Sequence, residues 1–166
     1  MAAGLAAIVA ALAAASLPGA APAQDHNAGL TGDDPVIFVR RVYRREILRD
    51  ARAGKMSSEA FHALFTPEVR RVLQSPVQPS PNFPIGLSHA FYGPGVLPGT
   101  EVTLQNVTPA APGQGGTAVA VDLQVRGTPR RIIVRVAREK GRWRIADIDY
   151  GTGESYMTYQ RKVRGQ

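Results

Sequence analysis

The chain has 166 residues, of which 44% are hydrophobic, and 20 Lys+Arg against 13 Asp+Glu give a formal net charge of +7. This length and this apolar content are enough for one domain with a single core. The absence of cysteine excludes a disulfide framework, a thiolate metal site, a cysteine nucleophile and a lipid-bearing cysteine.

The first 23 residues carry no charged side chain and predict a signal peptide. The apolar run at residues 5–17 is interrupted by Pro18, and roughly 20 apolar residues are needed to span a membrane. Ala21-Pro22-Ala23 then matches an A-x-A cleavage pattern. Because no Lys or Arg precedes the run, the alternatives are a true start further upstream or a poorly cleaved anchor. We therefore expect residues 1–23 to be removed on export, leaving a periplasmic or secreted protein with no stable membrane span.

The polar residues 24–33 predict a flexible lead-in to the folded domain. Because residues 1–23 carry no charge, all the cationic residues belong to the mature chain, and all but Lys55, Lys140 and Lys162 are arginine. Arginine matches phosphate and carboxylate well, so an acidic partner such as an envelope polymer fits this charge, but so does an ordinary solvated surface. Export argues against nucleic acid as a partner.

Three helices are predicted in the first half of the mature chain. Asp34 before Pro35 supplies an N-cap and a first-turn proline for a helix that ends near Gly54. A second helix begins at Ser57 or Ser58, and Thr66-Pro67-Glu68 begins a third. The apolar residues on one side of the first helix are Val36, Val39, Val42, Tyr43 and Ile47.

Residues 75–99 contain six prolines and predict a long irregular crossing anchored by Phe83, Phe91 and Tyr92. Loops of this length often border a functional site. Four strands of alternating apolar residues follow, joined by turns at Pro109–Gly116, Gly127–Pro129 and Lys140-Gly141. After Gly153, Tyr156, Tyr159 and Val163 have the spacing of an amphipathic helix, although the same spacing also permits a strand. The order predicts a single α+β domain at residues 34–164, with helices packed on a four-stranded antiparallel sheet.

Three segments carry a resemblance to a known family. They are Phe38-Val39-x-x-Val42-Tyr43, Phe61-x-x-Leu64-Phe65 and the closing run from Gly141 to Tyr150. Together they resemble the nuclear transport factor 2-like cone and, within it, the exported bacterial proteins grouped as domain of unknown function 3828. The resemblance implies a curved antiparallel sheet wrapped on helices with a pocket between them. It implies no activity, since the superfamily includes both enzymes and binding modules.

Glu46 is the first candidate site residue, because it falls inside the apolar arc of the first helix, one turn from Tyr43. A carboxylate turned inward needs a partner or a raised pKa, and both situations occur in functional sites. The alternative is a position at the helix rim, where Glu46 reaches solvent or pairs with Arg49.

Asp147 and Asp149 share strand parity with Trp143 and Ile145. If that whole face points inward, the two carboxylates form an acid/base set with Tyr43. Because Ile148 and Tyr150 on the opposite parity are also apolar, a bulge or late twist would instead turn both aspartates outward.

Other catalytic and metal patterns are missing from the sequence. The three histidines have no metal-ligand spacing, no serine lies in a Gly-x-Ser-x-Gly context, and the glycine-rich segments are typical of turns. We expect no metal, no cofactor and no assigned catalytic residue.

The favoured function is an exported non-catalytic binding domain that holds a small ligand or a segment of an envelope protein in a helix–sheet cleft. Its expected pocket residues are Tyr43, Glu46, Phe91, Tyr92 and Asp147. One alternative is an isomerase, dehydratase or hydrolase of the same fold that uses Tyr43 with Asp147 or Asp149. Another is an immunity-type protein that blocks an exported toxin. A homodimer is one way to cover Ile133, which the strand pattern places on the outer sheet face.

Overall fold

The computed structural model describes residues 34–51, 57–77, 88–97, 99–111 and 116–166. The predicted signal peptide at residues 1–23 and the lead-in at residues 24–33 lie outside the described residues. The described elements, in chain order, are α1 (Pro35–Ala51), α2 (Ser58–His62), α3 (Pro67–Gln74), α4 (Ser88–Tyr92), β1 (Val102–Pro109), β2 (Thr117–Val125), β3 (Thr128–Glu139), β4 (Arg142–Asp149) and α5 (Tyr156–Val163).

The strands of the described residues form one four-stranded sheet in the order β1-β2-β3-β4, and every neighbouring pair is antiparallel. The β2–β3 turn is formed by Arg126 and Gly127, with φ of 51° and 76°. Lys140 and Gly141 join β3 to β4 with φ of 48° and 76°. Two successive positive φ values are typical of the tight hairpin turn that matches strand twist. The predicted α+β class with an antiparallel meander is confirmed.

The predicted turn at Gly127–Pro129 is wrong by about two residues. Thr128 already pairs with Val125 and Pro129 with Gln124, so both belong to β3. The tight turn forms at Arg126 and Gly127 because Arg126 adopts a left-handed conformation. Arginine rarely adopts this conformation, so the sequence pattern does not predict it.

Capping side chains begin α1 and α2 where the sequence placed them, whereas Thr66 before α3 makes no side-chain capping hydrogen bond. The Oδ1 atom of Asp34 accepts a hydrogen bond from the backbone N–H of Val36 at 2.7 Å at the start of α1. The Oγ atom of Ser57 accepts one from the N–H of Ala60 at 3.2 Å before α2. The predicted end of the first helix near Gly54 lies outside the described residues.

The prediction of an irregular crossing between residues 75 and 99 is wrong at one place, because residues 88–92 form α4. Five residues are barely more than one helical turn, and so short an element leaves little apolar periodicity to detect. Its apolar residues Ala90, Phe91 and Tyr92 are all buried, so tertiary packing holds this helix in place.

One face of the sheet carries the core. Helix α1 packs against β1 and β2, while α3 and α5 pack against β4. Full burial of each aliphatic side chain stabilises the fold by about 1.5–3 kcal/mol, before the entropy of ordering is subtracted. The buried aliphatic side chains of this sheet face are Val107, Val119, Val121, Leu123, Ile132, Val134, Val136, Ile145 and Ile148.

The segment between α2 and α3 covers the free edge of β4. The N–H of Ile145 donates to the carbonyl of Leu64 at 2.8 Å, and the N–H of Thr66 donates to the carbonyl of Ile145 at 2.9 Å. These bonds satisfy backbone groups that an open sheet edge would expose. In the part of the chain that the structure describes, no helix has both the length and the apolar character to cross a membrane.

Candidate functional site

An aromatic cluster fills the interior between the helices and the sheet. Tyr43 of α1 meets Phe91 of α4 edge to face, with ring centroids 5.7 Å apart. Phe61 and Phe65 pack 5.0 Å from each other, and Phe65 stacks on Tyr156 of α5 at 5.5 Å. Such pairs add about 0.5–1.5 kcal/mol each beyond their buried area. The cluster therefore fixes α1, α4 and α5 around one interior region.

The hydroxyl of Tyr43 is a polar group inside this cluster. Its side chain is fully buried, and the hydroxyl makes no hydrogen bond within the part of the chain that the structure describes. Burial raises the pKa of Tyr43 well above its usual value near 10, because the phenolate would lose its hydration. Tyr43 therefore stays neutral at physiological pH and acts as a hydrogen-bonding group rather than as a base.

Glu46 lies one turn further along α1 and has no exposed surface. The alternative in which Glu46 reaches solvent at the helix rim is therefore wrong. The other alternative, an ion pair with Arg49, involves a side chain outside those described. A carboxylate at 0% exposure is rare unless it serves a partner or a site, so Glu46 remains a candidate pocket residue.

Arg130 and Tyr150 hold the segment that follows α4. The hydroxyl of Tyr150 donates to the carbonyl of Ala90 at 2.9 Å, and Arg130 donates to the carbonyl of Tyr92. Gly93 lies between them with φ of +87°, and a Cβ atom there would lie 3.0 Å from the Tyr150 ring and 3.1 Å from the Arg130 guanidinium. Only glycine combines this conformation with this close approach.

Asp147 and Asp149 lie on the sheet face opposite to the core. Val134 and Ile148 form a buried pair, whereas the next pair, Arg135 and Asp147, points the other way. Arg135 lies 3.6 Å from Asp147 and 3.4 Å from Asp149. The register shifts between the Arg135 and Val136 pairings, so β4 contains one extra residue before Asp147. This bulge reverses the side-chain alternation that Trp143 and Ile145 began.

Both aspartates also accept backbone hydrogen bonds. Oδ1 of Asp147 accepts from the N–H of Ile148 at 2.8 Å and from that of Met157, in the first turn of α5, at 3.0 Å. Oδ1 of Asp149 accepts from the N–H of Gly151 at 2.9 Å. Asp147 thus anchors the N-terminus of α5, and Asp149 closes the turn before it.

The structure brings four of the five expected pocket residues into the interior. Tyr43 and Phe91 are in contact, and their neighbours Glu46 and Tyr92 are buried beside them on α1 and α4. Asp147 is not brought to them. Tyr150 was not predicted as a site residue. The available signal was its position two residues after Ile148, which places both apolar side chains on the same face of a strand.

Ile133 is half-buried on the outer face, between its register partners Ala120 and Asp149. The structure contains one chain, so a homodimer over Ile133 stays a prediction. Within the described ranges, no group of three or more His, Asp or Glu side chains could hold a metal ion. No family model, no curated protein and no solved structure matches this chain.

Proposed function

We propose that the protein is an exported, non-catalytic binding domain that holds a small ligand, or a segment of another envelope protein, between α1 and the sheet. The proposal includes export through residues 1–23 and a nuclear transport factor 2-like cone, resembling the exported proteins of domain of unknown function 3828. The single observation that carries it is the Tyr43 hydroxyl, which is fully buried and has no hydrogen-bond partner among the described residues.

The energetics of that hydroxyl favour a ligand. A buried polar group left unsatisfied costs about 1–3 kcal/mol, and phenylalanine would fill nearly the same space without this cost. A ligand that exchanges a hydrogen bond with Tyr43 recovers the cost when it binds. The buried carboxylate of Glu46, one turn away, gives the same region a second polar group.

The chemistry available to these residues supports binding over proton transfer. Tyr43 stays protonated because burial raises its pKa. Asp147 and Asp149, its expected partners in the enzyme alternative, lie on the opposite sheet face beside Arg135. General acid–base catalysis requires both groups within hydrogen-bond reach of one substrate. The helices packed on one side of an antiparallel sheet are compatible with the proposed cone.

Native mass spectrometry of the protein purified without refolding tests the proposal. We expect a defined extra mass that disappears on denaturation. Tyr43→Phe should weaken the affinity for this ligand roughly fivefold, the effect of losing one hydrogen bond of about 1 kcal/mol, and should lower its occupancy when the ligand is below saturation. Tyr156→Phe is the matched control, since it removes a hydroxyl from another buried ring of the same cluster.

A bare protein mass for the unaltered chain would contradict the proposal, as would equal occupancy in Tyr43→Phe and in the unaltered chain. The same spectra report on export. Cleavage after Ala23 predicts a mature chain that begins at Gln24.

A further inference from the structure

The side of α1 that faces away from the core carries cationic and apolar side chains together. Ile37, Arg41, Arg44, Arg45 and Leu48 recur at intervals of three and four residues, which places them within an arc of about 100° on the helix. The buried residues of α1 lie on the opposite side. The three arginines are exposed, Leu48 is 55% exposed and Ile37 is half-buried. These side chains form what we call the outer face of α1.

The arginines of the outer face are not used by the fold. Their guanidinium groups make no hydrogen bond and no ion pair in the part of the chain that the structure describes. Arg40 differs from them, because its guanidinium donates to the carbonyl of Val107 at 3.1 Å and ties α1 to β1. Among the side chains described on α1, the acidic one is Glu46, and it is buried on the opposite side. The positive charge of the outer face is therefore not neutralised from within the described part of its own helix.

Exposed cations without an ion pair also occur elsewhere among the described residues, but on separate elements. Arg71 lies on α3, Arg126 in the turn between β2 and β3, and Arg142 at the start of β4. The outer face of α1 differs from them because three cations lie within two helical turns, around one exposed leucine. Cations grouped in this way act together on an extended anionic surface.

The chemistry of the outer face favours a phospholipid surface over a soluble polyanion. Guanidinium groups match the oxygens of phosphate, and both kinds of partner could satisfy them. Leu48 distinguishes the two, because an apolar side chain gains from entering the acyl boundary of a bilayer and gains nothing from a hydrated polymer. The aliphatic stems of the arginines can lie along the same boundary while their charged ends stay among the phosphates.

We propose that the outer face of α1 docks on the surface of a bilayer that contains anionic phospholipid. The helix lies in the plane of the headgroups, and Ile37 to Leu48 cover about 17 Å of it. The arginines contact phosphates, and the two apolar side chains are directed toward the acyl chains. This docking surface is separate from the interior around Tyr43 and does not depend on the function proposed above.

Flotation of the purified protein with phosphatidylglycerol vesicles tests the proposal. We expect binding that phosphatidylcholine vesicles do not support, and that weakens as added salt shortens the Debye length from about 30 Å at 0.01 M to about 10 Å at 0.1 M. The triple variant Arg41→Gln, Arg44→Gln and Arg45→Gln should bind about a hundredfold more weakly, since each arginine near an anionic surface contributes about fivefold. Glutamine has nearly the helix propensity of arginine, so α1 should remain folded.

Two matched controls separate this surface from the general positive charge of the chain. The triple variant Arg71→Gln, Arg126→Gln and Arg142→Gln lowers the net charge equally and should weaken binding less than about fivefold. Leu48→Gln should weaken binding about fivefold through its lost apolar contact. Leu97→Gln, which removes a leucine of similar exposure (57%) from another part of the surface, should bind as the unaltered protein does.

The proposal is overturned if phosphatidylglycerol vesicles bind no more protein than phosphatidylcholine vesicles do. It is also overturned if the control triple variant loses as much binding as the triple variant of α1. Equal binding of Leu48→Gln and the unaltered protein would overturn it as well, because recognition would then rest on charge alone, as for a soluble polyanion. All variants have the same N-terminus, so residues 1–23 affect each comparison equally.

Discussion

Tyr43 and Tyr150 allow the same substitution to be compared in two opposite hydrogen-bonding situations. Both side chains are buried, but the Tyr150 hydroxyl donates to the carbonyl of Ala90 at 2.9 Å, whereas that of Tyr43 has no partner among the described residues. Tyr150→Phe loses this bond and leaves the carbonyl of a fully buried residue unsatisfied, which should cost about 2 kcal/mol. Tyr43→Phe removes an unsatisfied group and should raise the free energy of unfolding by about 1 kcal/mol.

Urea unfolding of both variants measures this difference. The two variants should differ by about 3 kcal/mol in the free energy of unfolding. For an m-value of about 2 kcal/mol/M, this difference separates their urea midpoints by about 1.5 M. The proteins must first be freed of ligand, because a bound ligand stabilises the native state by mass action. If Tyr43→Phe is as destabilising as Tyr150→Phe, the Tyr43 hydroxyl has a partner, and the observation that carries the binding proposal is refuted.

Three further predictions concern stability. Gly93→Ala should lower the free energy of unfolding in urea by at least about 1 kcal/mol more than Gly95→Ala. Both glycines have positive φ, but of the two only Gly93 has atoms within 4 Å of an added Cβ. Equal losses of stability in the two variants would contradict the close approach at Gly93. Asp147→Ala should cost about 1–2 kcal/mol because it leaves the backbone N–H groups of Ile148 and Met157 without their carboxylate acceptor. Asp122→Ala, which breaks an exposed pair with Arg131, should cost less than about 0.5 kcal/mol, and equal losses would argue that Asp147 does not anchor the start of α5. Alkaline pH should unfold the protein, because burial raises the pKa of three tyrosines above the unfolded value of about 10. Their contribution to the free energy of unfolding is complete below about pH 10. Above that pH it falls by about 1.4 kcal/mol per pH unit for each ring. The three are Tyr43, Tyr150 and Tyr156. Absorbance at 295 nm and circular dichroism should change together in that range, and ionisation of all five tyrosines in a still-folded protein would contradict the burial.

Local chemistry predicted much of the fold from the sequence. Asp34 before Pro35, the capping serine Ser57 and the period-two strands are signals that short segments carry by themselves. The first two helices begin at these caps and the four strands form, although β3 starts earlier than the predicted turn allowed. The apolar arc of α1 also placed Tyr43 inside, because one face of an amphipathic helix is buried as a unit. For Glu46 the same arc left a position at the helix rim open, and only the structure shows that this side chain is buried.

The remaining features depend on tertiary structure. Asp147 lies on the sheet face opposite to the expected one because β4 contains one bulged residue. The pattern of Ile145, Ile148 and Tyr150 is compatible with either face until the register with β3 is known. The short helix α4 is held by packing rather than by its own sequence.

The most direct test of the central claim is a crystal structure of the protein purified from its cells without refolding. The account predicts non-protein density within about 3 Å of the Tyr43 hydroxyl, at hydrogen-bonding distance. A Tyr43 hydroxyl that instead bonds to a protein group, with protein atoms alone packed around it, would contradict the claim that this interior binds a ligand.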